Sequence, residues 1–350
     1  MSTADSAEPS LGPAPDVTVV MLAFGPEPFL AAAVEAALAS NGVRVEVVVV
    51  DNGSSAAICT TEPADARIRV VRPSRNLGFA AGANLGAAHG RGRVIAFVNS
   101  DALVDPDCLR HLCDHVADPR VGVAGALVVL ADSPDVVNSA GNPLHVLGLS
   151  WAGMLGQPVT QVPAIRSVPS ASGATMALRR QTWEQLAGFG ADYFAYLEDM
   201  DLCWRAWQAG LEVHVVAAAR SLHHYEFSRH ATKLYLLERN RIFLLLTTYQ
   251  WRTLGLLAVP LVALDAALLA VAATRGWGRQ KLRSWWWLIR HWRAVAERRA
   301  WVQGRRRVAD RELRWLWTTE LNPVAVPLPP GTHWLTRTLA AYWRVVSRWV

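Results

Sequence analysis

The first half of the chain alternates β-branched runs with stretches rich in alanine. The runs VTVVMLAFG (17–25) and VRVEVVVVDNGS (43–54) end at Gly or Asn-Gly, and PFLAAAVEAALAS between them has helical composition. Apolar strands without polar alternation are typical of parallel sheets that are covered on both faces. The pattern therefore predicts a βαβ unit.

Two further strands are predicted at 67–74 and 92–102, with a helix of small residues, FAAGANLGAAHGRG, between them. Ligands of open α/β sheets bind beyond the carboxyl ends of the strands, so the polar residues there are candidates. These are Asp51 and Asn52, Arg75 and Asn76, and Asn99 and Asp101. The alternative for each is a helix cap or a turn.

The stretch FAYLEDMDLCWRAWQAG (194–210) places three carboxylates at the start of a predicted helix that ends at Gly210. The helix macrodipole favours acidic residues in a first turn, so capping is one explanation. Aromatic residues directly before them favour a functional role, since a capping group normally faces water. Asp201 precedes Arg205 by four positions, which predicts an ion pair along the helix surface.

The motifs VVVVDNGS, RNLGFAAGANLG, VIAFVNSDA and GATMALRRQTWEQLAGFGADYFAYLEDMDLCWRAWQAG occur in this order. Together they resemble family 2 glycosyltransferases, in particular the rhamnosyltransferase-like and galactofuranosyltransferase-like branch, over about residues 16–245. The resemblance implies a GT-A-like α/β fold with a mostly parallel sheet that binds a nucleotide-diphosphate sugar. It also implies that the donor contacts a set of strand-end residues: Ala23, Phe24, Asp51, Arg75, Asn76, Asn99 and Asp101.

The same resemblance implies a divalent metal, Mn²⁺ or Mg²⁺, held by Asp101 and by His223, with His224 as the alternative histidine. Hard oxygen ligands suit both ions, and an imidazole ligand favours manganese. A structural histidine at a strand end is the non-functional alternative. The usual Asp-x-Asp is here Asn99-Ser100-Asp101, which predicts weaker metal binding.

A base must take the proton from the acceptor hydroxyl. By resemblance Asp199 is that base, with Glu198 orienting the acceptor. Ser172 and Gly173, in the Gly/Ser-rich segment 168–180, are candidates for acceptor contacts, and a plain loop is the alternative. The segment 141–153, with Trp151, is predicted to form a loop over the site.

The C-terminal third contains an apolar stretch, 254–273, that is long enough to span a bilayer. Arginines flank it on both sides, Pro260 is expected to break a helix there, and Asp265 is costly at mid-bilayer. A re-entrant or in-plane hairpin is therefore expected. The next segment, 275–308, interleaves Trp with Arg as interfacial helices do, and an oligomer interface is the alternative. Proteins that bind nucleic acid also carry Arg interleaved with aromatic residues. Nucleic acid binding would not explain the adjacent apolar stretch, however, so we do not expect nucleic acid as a partner.

The formal net charge of +6 is concentrated, because residues 274–314 hold thirteen Arg and Lys against three carboxylates. We expect a disordered tail (1–15) without a signal peptide, a transferase domain (16–245), a helical membrane-associated region (246–350) and four reduced cysteines. The predicted function is an inverting glycosyltransferase at the cytoplasmic face of the cell membrane, acting on a lipid-linked glycan acceptor. A non-catalytic binding or scaffold protein is the alternative; a sugar-nucleotide pyrophosphorylase would need a basic glycine-rich loop that LAFGPEPFL does not provide.

Overall fold

The computed structural model describes residues 14–56, 64–224, 231–321 and 333–350. Most of the predicted tail (1–13) and Cys59 lie outside the described residues. The other three cysteines are free thiols, as expected: Cys108, Cys113 and Cys203.

The predicted βαβ unit forms at the N-terminal side of the sheet. Its elements, in chain order, are β1 (Val17–Gly25), α1 (Leu30–Leu38), β2 (Val45–Ser54), β3 (Ile68–Val71), α2 (Gly78–His89) and β4 (Val94–Val98). β1 pairs in parallel with both β2 and β4, and β2 pairs in parallel with β3. The valines of β2 are fully buried because helices cover both faces, as the uninterrupted apolar run predicted.

The helix of small residues lies close against this sheet. A Cβ atom added at Gly86 would come within 2.4 Å of Val20, and one added at Gly82 within 2.7 Å of Leu22. Side chains larger than hydrogen at these positions would push α2 away from the strands.

The second half of the domain makes the sheet mixed. Its elements are β5 (Ala102–Val104), α3 (Cys108–Val116), β6 (Val121–Leu130), β7 (Ser133–Ser139), β8 (Leu144–His145), β9 (Ile165–Ser167), β10 (Thr175–Arg179), α4 (Arg180–Leu186), α5 (Glu198–Gln208) and β11 (Glu212–His223). The strand order is β3-β2-β1-β4-β10-β6-β11-β5, and β10 runs antiparallel to β4 and β6. This reversal places the start of β10 beside the end of β4, at the candidate site.

Helices dominate the rest of the chain. They are α6 (Ala231–Thr248), α7 (Trp251–Thr274), α8 (Gly278–Arg290), α9 (Trp292–Arg305), α10 (Asp310–Leu313) and α11 (His333–Val346), and a short strand β12 (Trp317–Thr318) pairs with β8. α6 packs against α8 and α9. The predicted boundary at residue 245 falls within α6, and the division into domains stays a prediction.

The expectation that Pro260 breaks the helix was wrong, because α7 continues through it. Proline cannot donate to the carbonyl of Leu256, four residues earlier. The hydroxyl of Tyr342, on α11, donates to that carbonyl instead. By length and composition alone α7 could cross a membrane, and only 11% of its most apolar window is buried.

Asp265 forms ion pairs and does not face an apolar environment alone. Its carboxylate accepts from Arg241 (2.8 Å) and Lys281 (2.5 Å), and from the indole nitrogen of Trp285 (3.2 Å). Glu238 joins the same cluster through Arg241 and Lys281. Two cations and two carboxylates thus balance each other where α6, α7 and α8 meet.

Candidate active site

The donor side of the site begins at the ends of β1 and β2. Asp51 accepts hydrogen bonds from the backbone of Gly53 (2.9 Å) and Ser54 (2.7 Å), which fix its carboxylate at the strand end. Ala23 lies opposite Asp51 in the strand register and is fully buried, so only its backbone can face a ligand. Phe24 is 63% exposed and forms a wall beside the turn at Gly53.

Arg75 and Asn76 lie on the exposed loop before α2. Asn76 accepts from the backbone N–H of Gly78 (2.7 Å). Asn52, which the sequence marked only as a strand end, bridges to this loop. Its amide donates to the carbonyl of Gly78 (3.0 Å) and accepts from the N–H of Leu77 (3.2 Å). Asn52 therefore connects the end of β2 to the loop before α2, the two segments predicted to contact the donor.

The two predicted metal ligands face each other. Nε2 of His223 lies 3.1 Å from Oδ1 of Asp101, and Nδ1 lies 3.0 Å from the side-chain oxygen of Asn138. Since that oxygen only accepts, Nδ1 donates to Asn138, and Nε2 is the ring nitrogen that faces the carboxylate. A carboxylate oxygen and an imidazole nitrogen placed in this way can act as two ligands of a cation. His224 stacks on Phe29 (ring centroids 3.7 Å apart), so its ring is engaged elsewhere.

Asn99 connects the metal side to the acceptor side. Its backbone N–H donates to the carbonyl of Ala174 (2.9 Å), at the start of β10. The Ser172 hydroxyl accepts from the N–H of Ala174 (3.3 Å), and Gly173 lies against Asp199. The antiparallel β10 is what brings residues 172–174 to the metal side.

Asp199 is held by three hydrogen-bond donors. Oδ2 accepts from the N–H of Gly173 (3.0 Å) and from the Asn142 amide (3.5 Å), and Oδ1 accepts from the N–H of Met200 (2.7 Å). Burial raises the pKa of Asp199, although the backbone bonds act against the rise. A carboxylate held in place with a raised pKa suits a general base.

Glu198 is buried beside it, and its Oε2 has no hydrogen-bond partner within the described residues. Burial, and then the charge of Asp199, raise the pKa of Glu198 to about 8. Burial and the neighbouring carboxylate thus both favour the protonated form of Glu198.

Asp201 forms the predicted ion pair with Arg205, but it lies in the interior and not on the solvent-facing surface that we expected. It is fully buried and accepts from Arg205 (2.9 Å), from Arg298 of α9 (2.6 Å) and from the Tyr193 hydroxyl (3.1 Å). Burial alone would raise the pKa of Asp201, but the two guanidinium groups outweigh it and the pKa is lowered. Its role is structural, as expected, but it joins α5 to the C-terminal helices.

Comparison with known proteins identifies the family. The model described as "Glycosyltransferase like family 2" matches residues 13–242. The chain belongs to this glycosyltransferase family. The GalNAc-T7 structure with UDP, GalNAc and Mn²⁺ aligns with a TM-score of 0.54 at 14% identity, covering 67% of this chain and 49% of that one. The predicted family and GT-A-like fold class are therefore confirmed.

Two curated relatives are partial matches. Succinoglycan biosynthesis protein ExoO of Rhizobium meliloti (strain 1021) is 37% identical over 158 residues, which cover 45% of this chain and 43% of ExoO. N-acetylglucosaminyl-diphospho-decaprenol L-rhamnosyltransferase of Mycobacterium tuberculosis (strain ATCC 25618 / H37Rv) is 28% identical over 235 residues, 59% of this chain and 75% of the relative. The chain thus spans less than half the length of ExoO.

In this family 2 glycosyltransferase the loop before α5 is strained. Phe194, Tyr196 and Leu197 all have positive φ (63°, 72° and 66°), which costs non-glycine residues about 1–3 kcal/mol each. Its carbonyls accept from Asn240, which donates to three of them at 2.7–3.0 Å, and from Arg239. The sequence analysis missed both α6 residues. Their signal was the polar run ERNR (238–241) between two apolar stretches of the helix.

Proposed function

We propose that the protein is an inverting glycosyltransferase of cell-envelope polysaccharide synthesis. It moves a sugar from a nucleotide-diphosphate donor to a hydroxyl of a lipid-linked glycan acceptor. The observation that carries this proposal is the Asp199 carboxylate, which accepts from Gly173 and Asn142. Gly173 lies on the turn whose Ala174 carbonyl accepts from Asn99, two residues before Asp101 of the Asp101–His223 pair. The names of the two relatives support the polysaccharide and lipid-linked parts of the proposal.

The donor lies across the ends of β1, β2 and β4 in this proposal. Phe24 and Asp51 face the nucleoside, Arg75 and Asn76 the diphosphate, and Asp101 and His223 hold Mn²⁺ or Mg²⁺. Asp101 and His223 would supply two ligands to such an ion, which would leave coordination positions for the phosphate oxygens of the donor and for water. The metal would stabilise the charge that grows on the leaving diphosphate.

The acceptor hydroxyl loses its proton to Asp199 as it attacks the anomeric carbon. The hydrogen bonds from Gly173 and Met200 keep the carboxylate in position without a change of rotamer. Protonated Glu198 can donate a hydrogen bond to the acceptor, which a carboxylate cannot do. Ser172 lies on the same turn and contributes to the acceptor side.

The C-terminal helices place the enzyme on the cytoplasmic face of the membrane in this proposal. Large apolar side chains on these helices face outward, among them Trp251, Val259, Val262, Trp286, Ile289 and Trp292. Arginines interleave with them, as suits an interfacial surface on anionic lipid. A peripheral or re-entrant arrangement agrees with the flanking charges. A homo-oligomer that covers the same surface is the alternative.

The decisive experiment measures nucleotide release. The full-length protein is incubated with Mn²⁺, a panel of nucleotide-diphosphate sugars and lipid-linked acceptors, and free nucleotide diphosphate is quantified. We expect one donor to be turned over, and Asp199→Asn to lower transfer by about 10²–10⁴-fold while the donor still binds. The matched control is Asp192→Asn, which changes an acidic residue of the same segment outside the site.

Unchanged transfer by Asp199→Asn contradicts the assignment of the base. Donor binding without release for every donor and acceptor contradicts the enzyme proposal and supports a binding protein.

A further inference from the structure

A cavity of about 570 Å³ opens beside the acceptor side of the site. Pro143 and Pro169 form part of its wall. Pro143 directly follows Asn142, whose amide contacts Asp199 and whose backbone donates to the Ser170 carbonyl (2.7 Å). The wall of the cavity is therefore one residue away from a contact of the proposed base.

Three tryptophans line part of this cavity, and two of them pack on the helix that carries Asp199. Trp315 is 59% exposed and packs edge-on against Trp207 of α5 (5.4 Å between ring centroids). Trp317 is buried and stacks on Trp204 of the same helix (5.4 Å). Trp151, half-buried, completes the aromatic lining. Broad, rigid aromatic faces suit the C–H surface of a sugar ring, which is apolar although its edge is polar.

Arg166 adds a positive charge to the same wall. One of its N–H groups donates to the Ala140 carbonyl (2.6 Å), and no ion pair of Arg166 is found within the described residues. Burial lowers the pKa of Arg166. Glu320 also lines the cavity, but it is exposed and is not paired with Arg166. A partly buried guanidinium with only a carbonyl partner favours an anionic ligand, because its other donors fit phosphate oxygens.

We propose that this cavity is the acceptor subsite and that it takes a glycan carrying a phosphate or diphosphate group. The acceptor sugar packs on Trp151 and Trp315, and Arg166 binds the phosphate. This inference rests on the proposed transferase function, since it names the acceptor of the same site. It also gives Trp151 and the segment 141–153 a role in acceptor binding.

The test is isothermal titration calorimetry on the full chain, because binding can be measured without turnover. The probes are octyl N-acetylglucosaminide and the same sugar linked to octyl diphosphate, with the glucose pair as a second set. We expect Arg166→Met to weaken the diphosphate probe by about tenfold or more, as for a lost charged hydrogen bond, and the neutral probe by less than about twofold.

Trp315→Ala is expected to weaken both probes, and Trp315→Phe, which keeps an aromatic face, to retain most of the affinity. Arg67→Met, at a surface ion pair with Asp65, is the matched control and should leave both affinities unchanged. Circular dichroism establishes that each variant is folded. Where Arg166→Met does not fold, Arg166→Lys replaces it and should weaken only the diphosphate probe.

Failure of this inference differs from failure of the proposed function. If the wild-type chain binds neither probe, or if Arg166→Met weakens both probes equally, the acceptor subsite is wrong even where nucleotide release is observed. If diphosphate binding depends on Arg166 but no donor is turned over, the subsite stands and the transferase proposal fails.

Discussion

Valine is buried in strand β2 of the sheet but exposed on α7, one of the C-terminal helices. In β2 the valines at 47 and 49 are fully buried, whereas Val259 and Val262 of α7 are 77% and 70% exposed. A soluble surface rarely carries a large contiguous apolar patch, and such a patch normally marks an interaction surface. The sheet thus completes its own core, whereas the described part of the helical region leaves large apolar side chains exposed, which supports the membrane association proposed above.

Charged residues show the reverse pattern. At the donor side they sit at exposed strand ends, but where the C-terminal helices meet the rest of the chain they are buried in ion pairs. One cluster is Asp201 with Arg205 and Arg298, and the other is Glu238, Arg241, Asp265 and Lys281. The first cluster lies on the helix that carries Asp199. The helical region is therefore part of the support of the candidate site.

Breaking the first cluster should have the largest effect. Arg298→Met removes one of the two guanidinium groups of buried Asp201, and we expect the free energy of unfolding to fall by about 3–5 kcal/mol. Transfer activity should fall with it, because Asp201 lies on the catalytic helix. Chemical denaturation and nucleotide release measure the two effects. Arg293→Met, on the same helix but exposed, is the control; equal stability of the two variants would contradict the support role.

Breaking the second cluster should cost somewhat less, because Arg241 still balances part of the negative charge. Lys281→Met is expected to lower the free energy of unfolding by about 3 kcal/mol. Adding Asp265→Asn should recover part of that loss by removing the unpaired charge. Arg279→Met, two residues before Lys281 and exposed, should change stability by less than about 0.5 kcal/mol. A double variant less stable than the single one would argue against charge balance at this junction.

Stability should also depend on the pH through Glu198. Its pKa is about 8 in the folded chain, above its usual 4.5, so between these values the folded state binds more protons than the unfolded state. Stability therefore falls as the pH rises through this window, by up to about 1.4 kcal/mol per unit. Denaturation at pH 5, 6, 7 and 8 should show this slope, and Glu198→Gln should reduce it. The same slope in wild type and variant would contradict a raised pKa.

The smallest expected effect concerns the exposed valines of α7, compared with exposed apolar residues of the sheet. Val262→Ser should lower binding to anionic phosphatidylglycerol vesicles by about fivefold, since roughly 1 kcal/mol of apolar burial is lost. Ile165→Ser changes an exposed apolar residue of β9, in the sheet, and should leave vesicle binding unchanged. Co-sedimentation measures both. If Val262→Ser instead lowers the oligomeric mass in light scattering without affecting sedimentation, the surface is an interface between copies of the chain.

Local patterns in the sequence were sufficient to predict the parallel strands and several residues of the candidate site. Uninterrupted valine runs determined the parallel strands β1, β2 and β4, because a strand buried on both faces leaves no position for polar residues. Strand ends then located Asp51 and Asp101, and the acidic triplet marked the start of α5. The resemblance, which depends on motif order, brought in His223, and the structure places its ring beside Asp101.

Only the tertiary structure decided which groups are buried and what they pair with. Asp201 looked like a surface residue because the i to i+4 spacing reveals Arg205 but not Arg298, which is 97 positions away. Pro260 looked like a helix breaker because the partner of the Leu256 carbonyl comes from α11. Arg239 and Asn240 hold the strained loop before α5 across 44 or more residues. Sequence periodicity records the secondary structure of a segment and the face it buries, whereas contacts between distant segments depend on how the elements pack.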